Sequence, residues 1–213
     1  MSLIRSEIYD YAENHSSKEP AVLQELRRET WQKTLAPRML SGHLQGRLLS
    51  LISKLVQPKN ILEIGTFTGY SAICLAEGIK KGGKLHTIDS NEELFDFQKK
   101  YFIKAGLENT IVQHTGDAIQ IIPEIITKFD LVFIDADKKD YIQYYDLIIE
   151  KLNKGGVIIT DNVLWSGKVV GNVLANDMET MEIMKYNEKI KNDKHVETIL
   201  LPFRDGISIT RKN

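Results

Sequence analysis

The sequence predicts an α/β protein: a doubly wound, mainly parallel sheet of about seven strands, with a reversed strand near one edge and an N-terminal helical layer. Three observations predict it. From Asn60 onward, short apolar runs alternate with longer amphipathic ones, the rhythm of βα units. Two of those runs stop at acids, FIDADK at Asp135 and ITDNVLW at Asp161-Asn162, and in open α/β sheets ligands gather beyond the carboxyl ends of strands. The last two runs, VETILLPF and GISITRK, are joined by little more than Arg204-Asp205-Gly206. So short a connection forces an antiparallel hairpin, whereas the earlier helical crossovers imply parallel strands.

Each element follows in order. Pro20 opens AVLQELRRETWQK, Pro37 interrupts it, and Ser41 is expected to cap a run with Leu44, Leu48, Leu51, Ile52 and Leu55 at helical spacing. ILEIG is the first strand, with a helix starting at Tyr70. KLHTID is the second, with a helix over 91–105, and NTIVQH is the third. FDLVFID, a helix over 141–152, GGVIITD and a polar helix over 176–191 lead to the closing hairpin. The whole reads as one domain, with N-terminal helices over 1–56 and an α/β core over 57–213.

Composition narrows the function classes. With 213 residues, 27% of them charged, and a net charge of -1, the chain offers no overall field to attract nucleic acid or an anionic membrane. The lone Cys74, in the apolar run AICLA, cannot make an internal disulfide or a Cys-rich metal site, and a small buried thiol suits the cytoplasm. Arg5, Glu7, Asp10 and Glu13 interrupt the opening residues, so no secretory segment is expected there, and no membrane-spanning stretch follows.

ILEIGTFTGYS has the form of a strand, a glycine turn and a helix start, with Gly65 and Gly69 bracketing the turn. Asp89 ends the next strand, where an acid can bind ribose hydroxyls. Phe67 occupies the place at which a dinucleotide turn needs its second glycine, so a nicotinamide-dependent oxidoreductase is disfavoured and a nucleoside without phosphates fits better. S-adenosylmethionine is such a molecule: its amine would meet Glu63, and its carboxylate the helix amides of Gly69, Tyr70 and Ser71. Gly116-Asp117-Ala118 would then lie over the adenine, with Asp117 accepting from the exocyclic amine. The plain alternative is ordinary βα packing.

Asp135, Asp161 and Asn162 are oxygen donors with no Cys or His beside them, the ligand set of a hard cation such as Mg²⁺, or of Mn²⁺ or Ca²⁺. Three such ligands leave about half of an octahedral shell open. A catechol-like substrate with two adjacent hydroxyls could enter it, and Lys138, three residues after Asp135, is placed to take the hydroxyl proton. Trp165 would form an aromatic wall for a flat substrate, beside the loop of Arg204 and Asp205. Against this, Asp161-Asn162 also suits a helix cap, and Lys138-Lys139 a solvated pair.

Taken in order, LEIGTFTGYSA, the Asp89 strand end, GDA, FIDADK, TDNVLW and the late P-x-x-DG turn resemble the cation-dependent class I O-methyltransferases, which include catechol and plant caffeoyl-CoA O-methyltransferases. The resemblance runs from Met39 to the C-terminus. It implies that Asp135, Asp161 and Asn162 hold Mg²⁺, that Lys138 is the catalytic base, and that Glu63, Gly65, Ser71, Asp89, Asp117 and Ala118 line the cofactor pocket. It further implies a seven-stranded sheet whose last strand pair is reversed, N-terminal helices that close over substrate, and a homodimer. In relatives Met39 and Ser41 lie near the methyl-donor end, although a Gly-Gln pair of the pattern appears here reversed, as Gln45-Gly46. No long insertion for a coenzyme A tail is evident; the acids, Lys138 and the phosphate-unfriendly turn together point to a small catechol-like molecule. Some relatives methylate tRNA, and the feature that would serve RNA is the basic face of Arg27, Arg28, Lys33 and Arg38.

Overall fold

The computed structural model describes residues 5–213. Seven strands form one sheet: β1 (Asn60–Ile64), β2 (Lys84–Asp89), β3 (Ile111–Thr115), β4 (Phe129–Ile134), β5 (Leu152–Asp161), β6 (Val196–Leu201) and β7 (Ile207–Lys212). Their order is β3-β2-β1-β4-β5-β7-β6. The first five pair in parallel, and β7 lies antiparallel between β5 and β6. The expected hairpin is present, but only β7 runs against the other strands, since β6 pairs with it from the outer edge. The last pair is not reversed as a unit.

The helices are α1 (Ser6–Asn14), α2 (Ala21–Lys33), α3 (Gly42–Val56), α4 (Tyr70–Ala76), α5 (Phe95–Lys104), α6 (Ala118–Glu124), α7 (Tyr141–Lys151) and α8 (Met178–Asn192). The central strands read as near-continuous apolar runs because helices cover both faces. On one face Ile61, Leu131, Phe133 and Ile159 pack with Leu23 and Leu26 of α2, Leu49 of α3 and the wholly buried α4. On the other, Leu62, Val132, Ile134 and Ile158 pack with Ile122, Tyr141, Ile148 and Tyr186. Successive strand residues alternate between the two clusters, as a period of two requires.

One expectation needs correction, and two features go beyond the sequence reading. Ser41 does not cap α3: its own backbone is helical and its side chain makes no cap bond. The leucine stripe of α3 is split: Leu48 and Ile52 pack partly buried against the core, Leu51 is 57% and Leu55 76% exposed, and Gln45, Gly46, Leu49, Ser50 and Ser53 are buried. Small residues face inward because α3 lies against α4. A Cβ on Gly46 would come within 2.6 Å of Tyr70 and 2.8 Å of the Cys74 sulfur, and one on Gly78 would meet the Ser53 backbone at 2.2 Å. Finally, α6, the crossover between β3 and β4, was not anticipated. Its signal is Asp117, whose side chain accepts from the Ile119 amide at 2.9 Å as a helix cap.

Candidate active site

The strand order changes direction between β1 and β4, the place where such sheets open a crevice. Gly65, Asp89, Asp135 and Asp161, at the carboxyl ends of β1, β2, β4 and β5, meet there around one cavity of about 950 Å³. Phe67, Tyr70 and Ser71 line it from the glycine turn, and Gly116, Asp117 and Ala118 from the end of β3. Lys138, Asn162, Trp165 and Arg204 also line it, with Met39 and Ser41 from the N-terminal layer. Three expected site residues do not line it: Glu63 lies fully buried in the sheet, and Gly69 and Asp205 have structural roles described below.

The turn after β1 fits its place by a narrow margin. Gly65 has φ +93°, and a Cβ there would lie 1.9 Å from the Asp135 carbonyl oxygen, so only glycine lets the two strand ends close up. Phe67 takes a left-handed φ of +47°, rare for a bulky residue and held here by its surroundings. One carboxylate oxygen of Asp89 accepts from the amides of Thr66 (3.0 Å) and Phe67 (2.7 Å), and Gln98 donates to the Phe67 carbonyl at 2.7 Å. Asp89 therefore holds the turn as well as ending the strand. Gly69 caps α4 and packs under Phe102 rather than facing the cavity.

Glu63 lies under this turn. Its Oε2 accepts from Thr87 at 2.5 Å, while its Oε1 is buried with no partner. Burial pushes its carboxyl up to about 8; the Ser71 and Thr87 hydroxyls oppose that shift, and Asp135 and Asp89 add to it. An unpaired buried acceptor is costly to leave unmade, and the Ser71 hydroxyl is the group placed to satisfy it.

Asp161 is almost wholly buried, and burial followed by the charge of Asp135 pushes it up to about 6. Its oxygens are met by the Gln45 side-chain amide (2.6 Å) and the Asn162 backbone amide (2.7 Å), not by a Lys or Arg. Lys138 lies between Asp135 and the aromatic side chains, its Nζ 3.3 Å from Asp135 Oδ1, 2.8 Å from the Ala136 carbonyl, and 5.8 Å from the Trp165 ring centre. Among the described residues no three His, Cys, Asp or Glu side chains gather into a metal cluster. A cation here would rest on two carboxylates and the Asn162 amide, with water or substrate completing its shell. That all-oxygen set and the crowded acid pair fit a hard divalent ion.

The segment 162–167 is strained, with Asn162, Trp165 and Ser166 all at φ between +45° and +60°. The β6–β7 turn holds it in place: Leu164 donates to the Asp205 carbonyl at 2.9 Å, Val163 to the Gly206 carbonyl at 3.2 Å, and Ser166 to the Asp205 carboxylate. Asp205 is thus a clamp outside the cavity, not one of its lining groups. Two residues at the site were missed by sequence reasoning. Gln45 receives the Arg204 guanidinium on its Oε1 (2.5 Å) while its Nε2 holds Asp161, and Tyr141 donates to the Asp161 carbonyl at 2.9 Å. The Gln45-Gly46 pair was the sequence signal for Gln45, without a role attached to it; Tyr141 had none.

The family model described as O-methyltransferase matches residues 13–213. The chain belongs to the O-methyltransferase family. It is 33% identical over 225 residues to caffeoyl-CoA O-methyltransferase 2 of Populus trichocarpa, covering 99% of this chain and 91% of that one. It is also 33% identical to caffeoyl-CoA O-methyltransferase 1 of Arabidopsis thaliana, covering 99% and 86%. An O-methyltransferase from Bacillus cereus, solved with S-adenosylhomocysteine, superposes with a TM-score of 0.90 at 29% identity, covering 97% of each chain. TomG of Streptomyces achromogenes, solved with S-adenosylmethionine, gives 0.88 at 28% identity, covering 97% and 96%. The O-methyltransferase is therefore a class I, S-adenosylmethionine-dependent enzyme, and the nicotinamide alternative falls away. No helix among its described residues is long and apolar enough to cross a membrane.

Proposed function

We propose that this O-methyltransferase moves the methyl group of S-adenosylmethionine onto one hydroxyl of a catechol-like small molecule, with a divalent cation, Mg²⁺ in the first instance, held by Asp135, Asp161 and Asn162. The observation that carries the reading is the convergence of Asp135 and Asp161 in one cavity, with Asp161 buried and unpaired by any Lys or Arg. When bound, the cation supplies Lewis acidity that favours the deprotonated hydroxyl. Lys138 accepts that hydroxyl proton at Nζ, with Ala136 and Asp135 fixing the side chain. Trp165 bounds the flat ring of the acceptor. On the donor side, Asp89 takes the ribose hydroxyls and Asp117 the adenine amine, while Gly65, Phe67, Ser71, Gly116 and Ala118 shape the pocket and Glu63 stands buried behind Ser71. The carbon–sulfur bond breaks as the carbon–oxygen bond forms, so sulfonium and oxyanion charges cancel, and positioning does most of the work.

The relatives carry names in which the acceptor is a caffeoyl group, and that supports a vicinal diol ring. RNA gains no support from the basic face, since Arg27 pairs with Glu19 at 3.0 Å and Lys33 with Glu29 at 2.5 Å. The N-terminal helices α1, α2 and α3 close the acceptor side of a single domain whose core is 57–213. The enzyme works in the cytoplasm, consistent with its single unpaired Cys74. It pairs as a homodimer, for which the exposed Leu51 and Leu55 of α3 offer apolar surface. The decisive assay is transfer of labelled methyl to catechol or caffeate with and without chelator; equal turnover in excess EDTA rejects the cation.

A further inference from the structure

We propose that α2 is part of the cofactor site, and that Thr30 and Glu19 are positioning residues that hold the glycine turn in the shape the methyl donor requires. The turn from Thr66 to Tyr70 contains a left-handed phenylalanine, a conformation that persists only where the surroundings over-determine it. The core supplies some of that restraint: Asp89 binds the first two amides, Gln98 the Phe67 carbonyl, and Phe102 packs on Gly69. The other two side chains are held by the N-terminal layer. Thr30 donates to the Thr68 hydroxyl at 3.1 Å, and Tyr70 donates to Glu19 Oε1 at 2.6 Å.

Both bonds are shielded from water, with Thr30 and Thr68 fully buried, Tyr70 1% exposed and Glu19 7% exposed. Glu19 is itself fixed by Arg27, whose guanidinium reaches both carboxylate oxygens. α2 is braced independently of the turn by Leu23 and Leu26 in the core and by Glu29, which holds Lys100 at 2.5 Å and the Tyr101 hydroxyl on α5. Removing the Thr30 hydroxyl therefore leaves α2 docked but frees the turn on one side. The cofactor must then order it on binding, and affinity falls by the cost of that ordering. Neither Thr30 nor Glu19 lines the cavity, so the effect passes through Thr68 and Tyr70. The layer that the sequence assigns to closing over the acceptor thus also shapes the donor pocket.

Calorimetric titration with S-adenosylhomocysteine tests this without cation or acceptor, so its outcome is separate from that of the proposed reaction. Thr30→Val is expected to weaken S-adenosylhomocysteine about tenfold, the equivalent of one buried hydrogen bond, with Thr30→Ser restoring it. In turnover assays the KM for S-adenosylmethionine should rise by a similar factor while kcat at saturation stays within about twofold, the pattern of lost ground-state binding. Should Thr30→Val not fold, Glu19→Gln, which keeps the size of the side chain, takes its place. Affinity within twofold of the parent in whichever variant folds, measured well below its melting temperature, overturns the proposal.

Discussion

Gly65→Ala tests whether the donor turn and the acid at the end of β4 are one mechanical unit. The added methyl would start 1.9 Å from the Asp135 carbonyl oxygen and 2.7 Å from its carbon, both backbone atoms. Reaching the 3.0 Å below which real Cβ contacts essentially never fall requires a shift of at least 1.1 Å. That shift parts two backbone bonds of 2.9 Å, Asp135 to the Ile64 carbonyl and Gly65 to the Ile88 carbonyl. Overpacking costs about 1–3 kcal/mol, a buried bond left unmade about 1–3, and the left-handed φ about 1–2 more. With both bonds parted, a loss of about 4–11 kcal/mol is thus expected, a large share of the ~5–15 kcal/mol that holds a domain folded. Gly82→Ala is the control: its φ is +77°, but nothing lies within 4 Å of the new methyl, so it meets the backbone strain alone. Thermal melts should show Gly82→Ala lower by about 2–8 °C and Gly65→Ala by well over 8 °C. Where Gly65→Ala still folds, a displacement of this size should weaken S-adenosylhomocysteine about a hundredfold in calorimetry. Equal melts for the two variants, with donor affinity intact, would refute the reasoning.

Other consequences are open to direct measurement. Lys138→Met should lower kcat by about a hundredfold or more while S-adenosylhomocysteine affinity stays within about threefold, because the side chain acts on the acceptor proton and not on the donor; radiometric turnover and calorimetry separate the two. Asp161→Ala should abolish Mn²⁺ binding seen by electron paramagnetic resonance, with a loss of methyl transfer that added Mg²⁺ does not recover. Glu77 anchors α4 to α3. Although burial raises its proton affinity, hydrogen bonds from Arg47, Lys54 and Ser50 outweigh that and lower its carboxyl to about 2. Because the folded value lies below the unfolded one, the contribution is fully present above about pH 4.5 and is lost as pH falls towards 2. Urea melts should therefore show Glu77→Gln less stable than the parent at pH 7, with the gap narrowing at pH 3; a gap that does not change with pH removes the assignment.

The sheet was legible because its strands are buried on both faces and so read as unbroken apolar runs, and because acids at their ends stand out against that background. Asp135, Asp161, Asn162 and Lys138 converge in the structure for this reason. The rest depends on contacts that local pattern does not carry. Leu51 and Leu55 fit a helical stripe, yet α3 turns its glycine and serines inward because only small residues allow α4 so close. Gln45 reaches Asp161 across 116 positions, and Asp205 faces Ser166 and Leu164 instead of the cavity because the β6–β7 turn carries the strained 162–167 segment. α6 is only seven residues long, too short for its periodicity to register.

The central claim is that Asp135, Asp161 and Asn162 share one ion on which the acceptor hydroxyl is held. A crystal structure with S-adenosylhomocysteine, Mg²⁺ and a catechol measures that directly. All three side-chain oxygens should lie about 2.0–2.1 Å from one octahedral ion that also binds a catechol oxygen. Crystals grown in abundant Mg²⁺ with those side chains bonded only to protein, and the catechol elsewhere, would contradict it.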